Sequence, residues 1–299
     1  MNIFLRYILA ILIFFIGFIG NSTGLIVFIR ISSKTFPTRI IFIIYAFINL
    51  SCLFYTIIKF LIRNILSVLL YDLSISFCKL GYFLDFFLLS VANYILAFIS
   101  MERFLSIKFS KLNTFKKKLN QFIFIFIIVT YNFLLYTPSI YFLSFVNKTN
   151  SSACDYIKKE YDNLMSLMDL INSSLMPFLI MFMFSGLLIQ TVLKSRLRLL
   201  NLANQRDRIK LRKDIQLSVS LVVFNLAFLL LNAPHTIYHL VSTNANTDLH
   251  DALYFLSWCS FCIDFYILFA FNSIFRKNVL SIFHIQENRF FSSFLSITQ

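Results

Sequence analysis

Residues 78–104 read CKLGYFLDFFLLSVANYILAFISMERF, and this stretch decides the fold. Between Leu80 and Met101 the only charge is Asp85, so the segment is long and apolar enough to cross a bilayer as a helix. Asp85 and Arg103 are 18 residues apart, about five turns at roughly 3.6 residues each, so they share one face. The rise of about 1.5 Å per residue sets them roughly 27 Å apart, close to the hydrocarbon thickness. Cys78 lies seven residues before Asp85 on nearly the same face. The spacing predicts a membrane helix with a cysteine at one mouth, an acid just inside it, and the Glu102-Arg103 pair at the other mouth.

Composition extends this reading to the whole chain. Of 299 residues 59% are hydrophobic, 13% are charged and 39 are Phe, a balance that excludes a water-soluble domain of this length. Seven segments are predicted to span: 7–30, 39–63, 78–107, 119–145, 163–196, 211–241 and 251–272. The expected fold class is an all-α membrane protein, a seven-helix bundle forming a single domain over residues 1–299. The first segment lacks a small-residue cleavage site after a short apolar core, so it reads as a retained helix.

Basic residues orient the bundle. The connections after the first, third and fifth spans, with the C-terminal end, hold 20 of the 27 Lys and Arg residues. The N-terminus is therefore expected outside and the C-terminus inside. The net charge of +14 follows from this asymmetry and suits anionic inner-leaflet lipid, not nucleic acid. On the outer side, Asn147-Lys148-Thr149 and Asn150-Ser151-Ser152 are glycosylation sequons between spans four and five. Similar triplets at Asn21, Asn49 and Asn172 fall within spans, out of a transferase's reach. Cys78 and Cys154 share the oxidising side, where a bridge or two free thiols are both open to them.

Seven spans with these motifs in order resemble the rhodopsin-like family of G-protein-coupled receptors, over almost the whole chain. Gly20-Asn21 is similar to the family's buried pair in the first helix, and Asn49 stands where the family usually places Asp. Glu102-Arg103-Phe104 resembles the Asp/Glu-Arg-Tyr triplet. Pro138 and Pro177 match prolines of the fourth and fifth helices, and residues 228–234 (FLLLNAP) resemble F-x-x-C-W-x-P of the sixth. Residues 264–268 (DFYIL) replace N-P-x-x-Y, and residues 273–284 look like the interfacial amphipathic eighth helix before a short tail to 299. The resemblance implies a Cys78–Cys154 bridge, an extracellular ligand, and a heterotrimeric G protein and arrestin on the inner side. Asn232, Phe265, Leu268 and Phe104 replace the family's Trp, Pro, Tyr and Tyr, all of them in its switching machinery.

The same resemblance assigns roles. At the inner end, Asp214 precedes Pro234 by 20 residues, about 30 Å down the sixth helix. Asp214 is expected either to clasp Arg103 in the inactive state or to be solvated. Activation would then separate helices three and six. Asn49 and Asp264 look like the family's Asp and Asn with places exchanged. Asn21, Asn49 and Ser260 are expected to surround Asp264 with a sodium ion or water, or with direct hydrogen bonds to a protonated acid, because an acid at this depth needs partners. No other metal or cofactor is expected.

Towards the outside, Asp85, Asp169, Lys59, Arg63, His235, His239, Tyr254 and Trp258 are expected to converge on a ligand pocket. His235 and His239 are four residues apart, on one helix face, and read as pocket lining in preference to a metal site. Asp85 is expected to meet a cationic group of the ligand; the rival reading pairs it internally with Lys59. Trp258 and Asn232 stand where amine receptors carry Tyr and Trp, which favours a neuropeptide-like ligand with a basic group over a small amine. A chemosensory receptor of the same architecture is the alternative. Retinal chemistry is excluded because residues 251–275 contain no Lys. A transporter would show internal repeats and broken helices, which 5 Gly and 4 Pro do not suggest. Acids at separate depths on separate helices do not suggest an enzyme.

Overall fold

A computed structural model describes residues 3–32, 36, 38–66, 68–109, 118–148, 151–200, 205–241 and 247–283. In chain order these form α1 (Ile3–Arg30), α2 (Arg39–Ile65), a 3-10 turn (Leu70–Asp72), α3 (Ile75–Lys108), α4 (Lys118–Phe142), β1 (Leu143–Lys148) and β2 (Ser151–Tyr156). There follow α5 (Lys159–Asp169), a π-helical turn (Leu170–Leu175), α6 (Met176–Leu200), α7 (Gln205–Val241), α8 (Thr247–Trp258), α9 (Ser260–Phe271) and α10 (Ser273–Ile282). Helices α1 to α4 are the first four spans, α5 and α6 together are the fifth, α7 is the sixth, and α8 with α9 is the seventh, bent by 42°.

The third span is the axis of the bundle. Of its apolar window 61% is buried, against 22–39% for the other unbroken spans. Ser74 starts it, its hydroxyl accepting from the Phe77 N–H at 3.3 Å. Its buried face, including Val91, Ile95, Leu96 and Ile99, joins residues of the second, sixth and seventh spans in one core. Phe122, Phe126 and Leu134 of α4 stay exposed, as a lipid-facing surface requires. Close packing of the first span depends on Gly17, where an added Cβ would meet Cys262 Sγ and Leu53 Cδ1 at 2.6 Å each.

Two departures from the expected helices have local causes. Residues 143–145, expected to finish the fourth helix, instead belong to β1, which pairs antiparallel with β2 in the register Leu143↔Tyr156 to Lys148↔Ser151. Leu143 and Tyr156 are buried with Cys78 and Tyr136, so the hairpin has its own small core. The seventh span breaks at Cys259. There the Ser257 and Ser260 hydroxyls donate to carbonyls three residues back, at 2.8 and 2.7 Å, and the Cys262 N–H reaches only to Cys259 O. Serine hydroxyls competing for backbone carbonyls bend a helix in this way.

The π turn of the fifth span is stabilised by side chains. Its Asn172 amide nitrogen donates to Ser90 Oγ (2.9 Å), Asn132 Oδ1 (3.1 Å) and Tyr136 Oη (3.1 Å). The Asn172 oxygen accepts from the hydroxyls of Tyr94 and Tyr131, both at 2.9 Å. Asn93 donates to the Ser173 carbonyl at 2.7 Å. Spans three, four and five are thereby joined by one buried polar network, at a place where helical hydrogen bonding alone is incomplete. Asn272 caps α10, accepting from the N–H groups of Ile274 and Phe275.

Candidate functional site

At the outer end a cavity of about 510 Å³ opens between the first, second, third, sixth and seventh spans. Lys59, Arg63, His235, Tyr254 and Trp258 line it, as the sequence suggested. Arg6, Tyr71, His250 and Asp251 line it as well and were not expected. Arg6 and Asp251 form an ion pair at 2.6 Å, with His250 Nδ1 3.7 Å from the same carboxylate. The only signal for them in the sequence was charge placed near the outer ends of two spans.

Asp85 is already engaged. Lys59 Nζ donates to both its oxygens at 2.7 Å, and the Tyr71 hydroxyl donates to Oδ2. The Lys59 ammonium also stands 5.5 and 5.1 Å from the ring centres of Tyr55 and Tyr71. The internal pairing is thus the arrangement this structure shows. Neither Asp85 nor Asp169 is among the residues that line the cavity: Asp85 lies behind Lys59 and Tyr71, and Asp169 accepts from the Tyr136 hydroxyl at 3.4 Å while its carbonyl accepts from Ser173 Oγ, in the network around the π turn. The side chain of His239 lies outside the described residues.

The hairpin is tied to the third span at this end of the bundle. Cys78 and Cys154 form a disulfide, with Cα atoms 5.6 Å apart. The Cys154 N–H donates to Asp72 Oδ1 at 2.8 Å, tying the hairpin to the 3-10 turn as well. Asn147 belongs to β1, opposite Ser152, while Asn150 lies outside the described residues.

In the middle of the bundle, Asn49 Nδ2 donates to Asp264 Oδ2 at 3.0 Å, and the Tyr45 hydroxyl faces the same carboxyl group. The other two expected partners are used elsewhere. Asn21 donates to Gly17 O (2.9 Å) and Phe261 O (2.7 Å), and Ser260 donates to Ser257 O. Asn49 Oδ1 is the one buried oxygen near Asp264 that lacks a partner among the described residues. The oxygens gathered at this point are the Asp264 carboxylate, the Asn49 amide oxygen and the Tyr45 hydroxyl. Direct hydrogen bonding to Asp264 is the arrangement that the geometry supports.

The inner end holds the switch residues. Arg103 is 3% exposed; it donates to the Thr38 hydroxyl, lies 5.6 Å from the centre of the Phe36 ring and sits 3.5 Å from Glu102. Glu102 in turn accepts from Ser106 Oγ at 2.7 Å. The side chain of Asp214 lies outside the described residues. Phe104 packs on Phe184 of the fifth span, 5.7 Å between ring centres. Asn232 donates back to Phe228 O at 3.0 Å, two residues before Pro234, so its amide serves its own helix. A further link was missed: Asn225 Nδ2 donates to Ser100 Oγ (2.9 Å) and Ser185 Oγ (2.6 Å), joining spans three, five and six. A polar side chain inside an apolar span was the available signal.

A search of curated proteins found no match to the chain. Comparison with protein families matches residues 20–266 to the family described as 7 transmembrane receptor (rhodopsin family). The match runs from the buried Gly20 of the first span to Tyr266 of the seventh, and it takes in the disulfide, the inner Glu102-Arg103 pair and all of the outer cavity's lining except Arg6. That family consists of multi-pass plasma-membrane receptors, not enzymes, which answer to an extracellular ligand and signal through G proteins. This chain belongs to the rhodopsin family of seven-transmembrane receptors.

Proposed function

We propose that this receptor takes an extracellular peptide into the outer cavity, and that a basic group of the peptide displaces Lys59 from Asp85. The Lys59–Asp85 pair carries the reading. Lys59 lines the cavity and Asp85 stands directly behind it, outside the lining, each side chain about one-quarter exposed, so a cation that takes the place of Lys59 reaches Asp85. Lys59, Arg63, His235, Tyr254 and Trp258 form the recognition surface, and Asn147 and Asn150 carry sugar on the outer side.

Occupancy then separates spans three and six at the inner end, opening a cavity for a G protein and afterwards for arrestin. Asn225 bonded to Ser100 holds the resting state, and Arg103, held at rest by Thr38 with Asp214 as a second partner, is the residue that couples to the G protein once the spans part. A small amine or chemosensory ligand fits less well, because Trp258 and Asn232 stand where amine receptors carry Tyr and Trp.

The test is a peptide and amine library screen on cells expressing the full chain with promiscuous G proteins. Peptides with a basic group are expected to activate, and Asp85→Asn is expected to weaken them about 10- to 150-fold, the worth of a charge-assisted hydrogen bond. Activation by amines alone, or equal loss for peptides with and without the basic group, contradicts the proposal.

A further inference from the structure

We infer that the outer cavity also holds a subsite for a single carboxylate, received by the indole N–H of Trp258 and the cations Arg63 and Lys59. The inference rests on reading this cavity as the ligand site. Trp258 lines the cavity, is 4% exposed, and its Nε1–H is buried without a hydrogen-bond partner. Indole nitrogen is a donor only, so the group it lacks is an acceptor, and a buried donor without one is costly. Its ring is held in place by Tyr254, Phe255 and Phe60, with centres 5.1, 5.3 and 6.1 Å away, so the N–H is fixed in direction.

Charge around the cavity points the same way. Arg6 is matched by Asp251 and Lys59 by Asp85, whereas Arg63 has no ion-pair partner among the described residues. One positive charge is left over at the wall, which a monoanion neutralises and a doubly charged phosphate would overshoot. The proposed exchange at Asp85 requires the same group. When a ligand cation takes Asp85, the Lys59 ammonium is stranded between Tyr55 and Tyr71 unless the ligand also brings an anion. A peptide bearing a basic group and a free carboxylate satisfies both charges together.

The chain contains a single Trp, so 15N-tryptophan labelling of the purified full-length receptor in lipid nanodiscs gives one indole resonance, that of Trp258. The probes are benzoate and its neutral counterpart benzamide, which share a ring suited to the aromatic wall. Benzoate is expected to move the indole proton downfield and to saturate in the millimolar range, with benzamide at least about tenfold weaker. Arg63→Gln is expected to weaken benzoate by several-fold while leaving the ligand-free resonance in place, which reports an intact fold. An indole signal unmoved by benzoate, or moved equally by benzamide, overturns the carboxylate subsite whatever the library screen finds. A benzoate response in a receptor that no peptide activates keeps the subsite and removes the peptide.

Discussion

Lys59 donates to both carboxylate oxygens of Asp85, 2.7 Å from each, across the interface of the second and third spans. Two charges that far inside a bundle are tolerable only together. Removing either partner is expected to cost about 1–3 kcal/mol, between the values for exposed and fully buried pairs, since the two side chains are 20% and 27% exposed. Asp85→Asn and Lys59→Met should therefore each lower surface expression, and the double variant should recover it. Flow cytometry on an epitope-tagged receptor measures this; additive losses in the double variant would show that the two residues act separately.

Asn172 uses both ends of its amide to join three spans. Asn172→Ala takes the acceptor from the Tyr94 and Tyr131 hydroxyls in an apolar setting, while Ser90 keeps its bond to Asn132. The expected loss is about 2–4 kcal/mol, the sum of several modest bonds and their desolvation. A thermal-shift measurement on the purified variant should show a clearly lowered midpoint. An unchanged midpoint would mean that the π turn is held by packing alone.

Cys78 and Cys154 fix the hairpin to the head of the third span. Cys154→Ser is expected to cost about 2–5 kcal/mol, and to free the hairpin from the head of the third span. Mass mapping of surface receptor under non-reducing conditions should find the two peptides linked, and finding both thiols free would remove the bridge from the account.

Asn49 and Asp264 meet as amide and acid. Asn49→Asp sets a second carboxyl against the first, and each ionised acid at this depth costs about 2.5–3.5 kcal/mol on insertion scales. A several-fold drop in surface receptor is expected. The exchanged pair Asn49→Asp with Asp264→Asn restores one acid facing one amide and should return expression close to the starting level. A double variant no better than Asn49→Asp would show that the two positions are not equivalent.

Spans and orientation were legible because length, hydropathy and the placement of Lys and Arg act residue by residue. The Asp85–Lys59 pair and the cavity wall were legible only as alternatives, since spacing gives the face of a helix and not which neighbour it meets. The hairpin was hidden because Leu143-Ser144-Phe145-Val146, short and mostly apolar, suits a helix and a strand equally. The bend at Cys259 was hidden because it arises from Ser257 and Ser260, not from the proline that usually marks one. Asp169 went astray for a related reason: a π turn rotates the residues beside it relative to a regular helix, and nothing in the local pattern announces that turn. Asn225 and Asn172 were passed over, the second read only as a sequon out of reach, because a sequence shows a polar side chain within a span without showing which partners meet it.

Activation by separation of spans three and six is most directly tested without any ligand. Nucleotide exchange on a purified G protein is measured with the receptor in nanodiscs, comparing wild type, Asn225→Ala, Asp214→Asn and Asn225→Ala combined with Arg103→Ala. Loosening a latch that contributes about 1 kcal/mol should raise basal exchange roughly fivefold from a small starting fraction. Adding Arg103→Ala should abolish that gain while the receptor remains folded. Basal exchange unchanged by Asn225→Ala and Asp214→Asn at equal receptor amounts, or a gain that survives the loss of Arg103, would contradict the account.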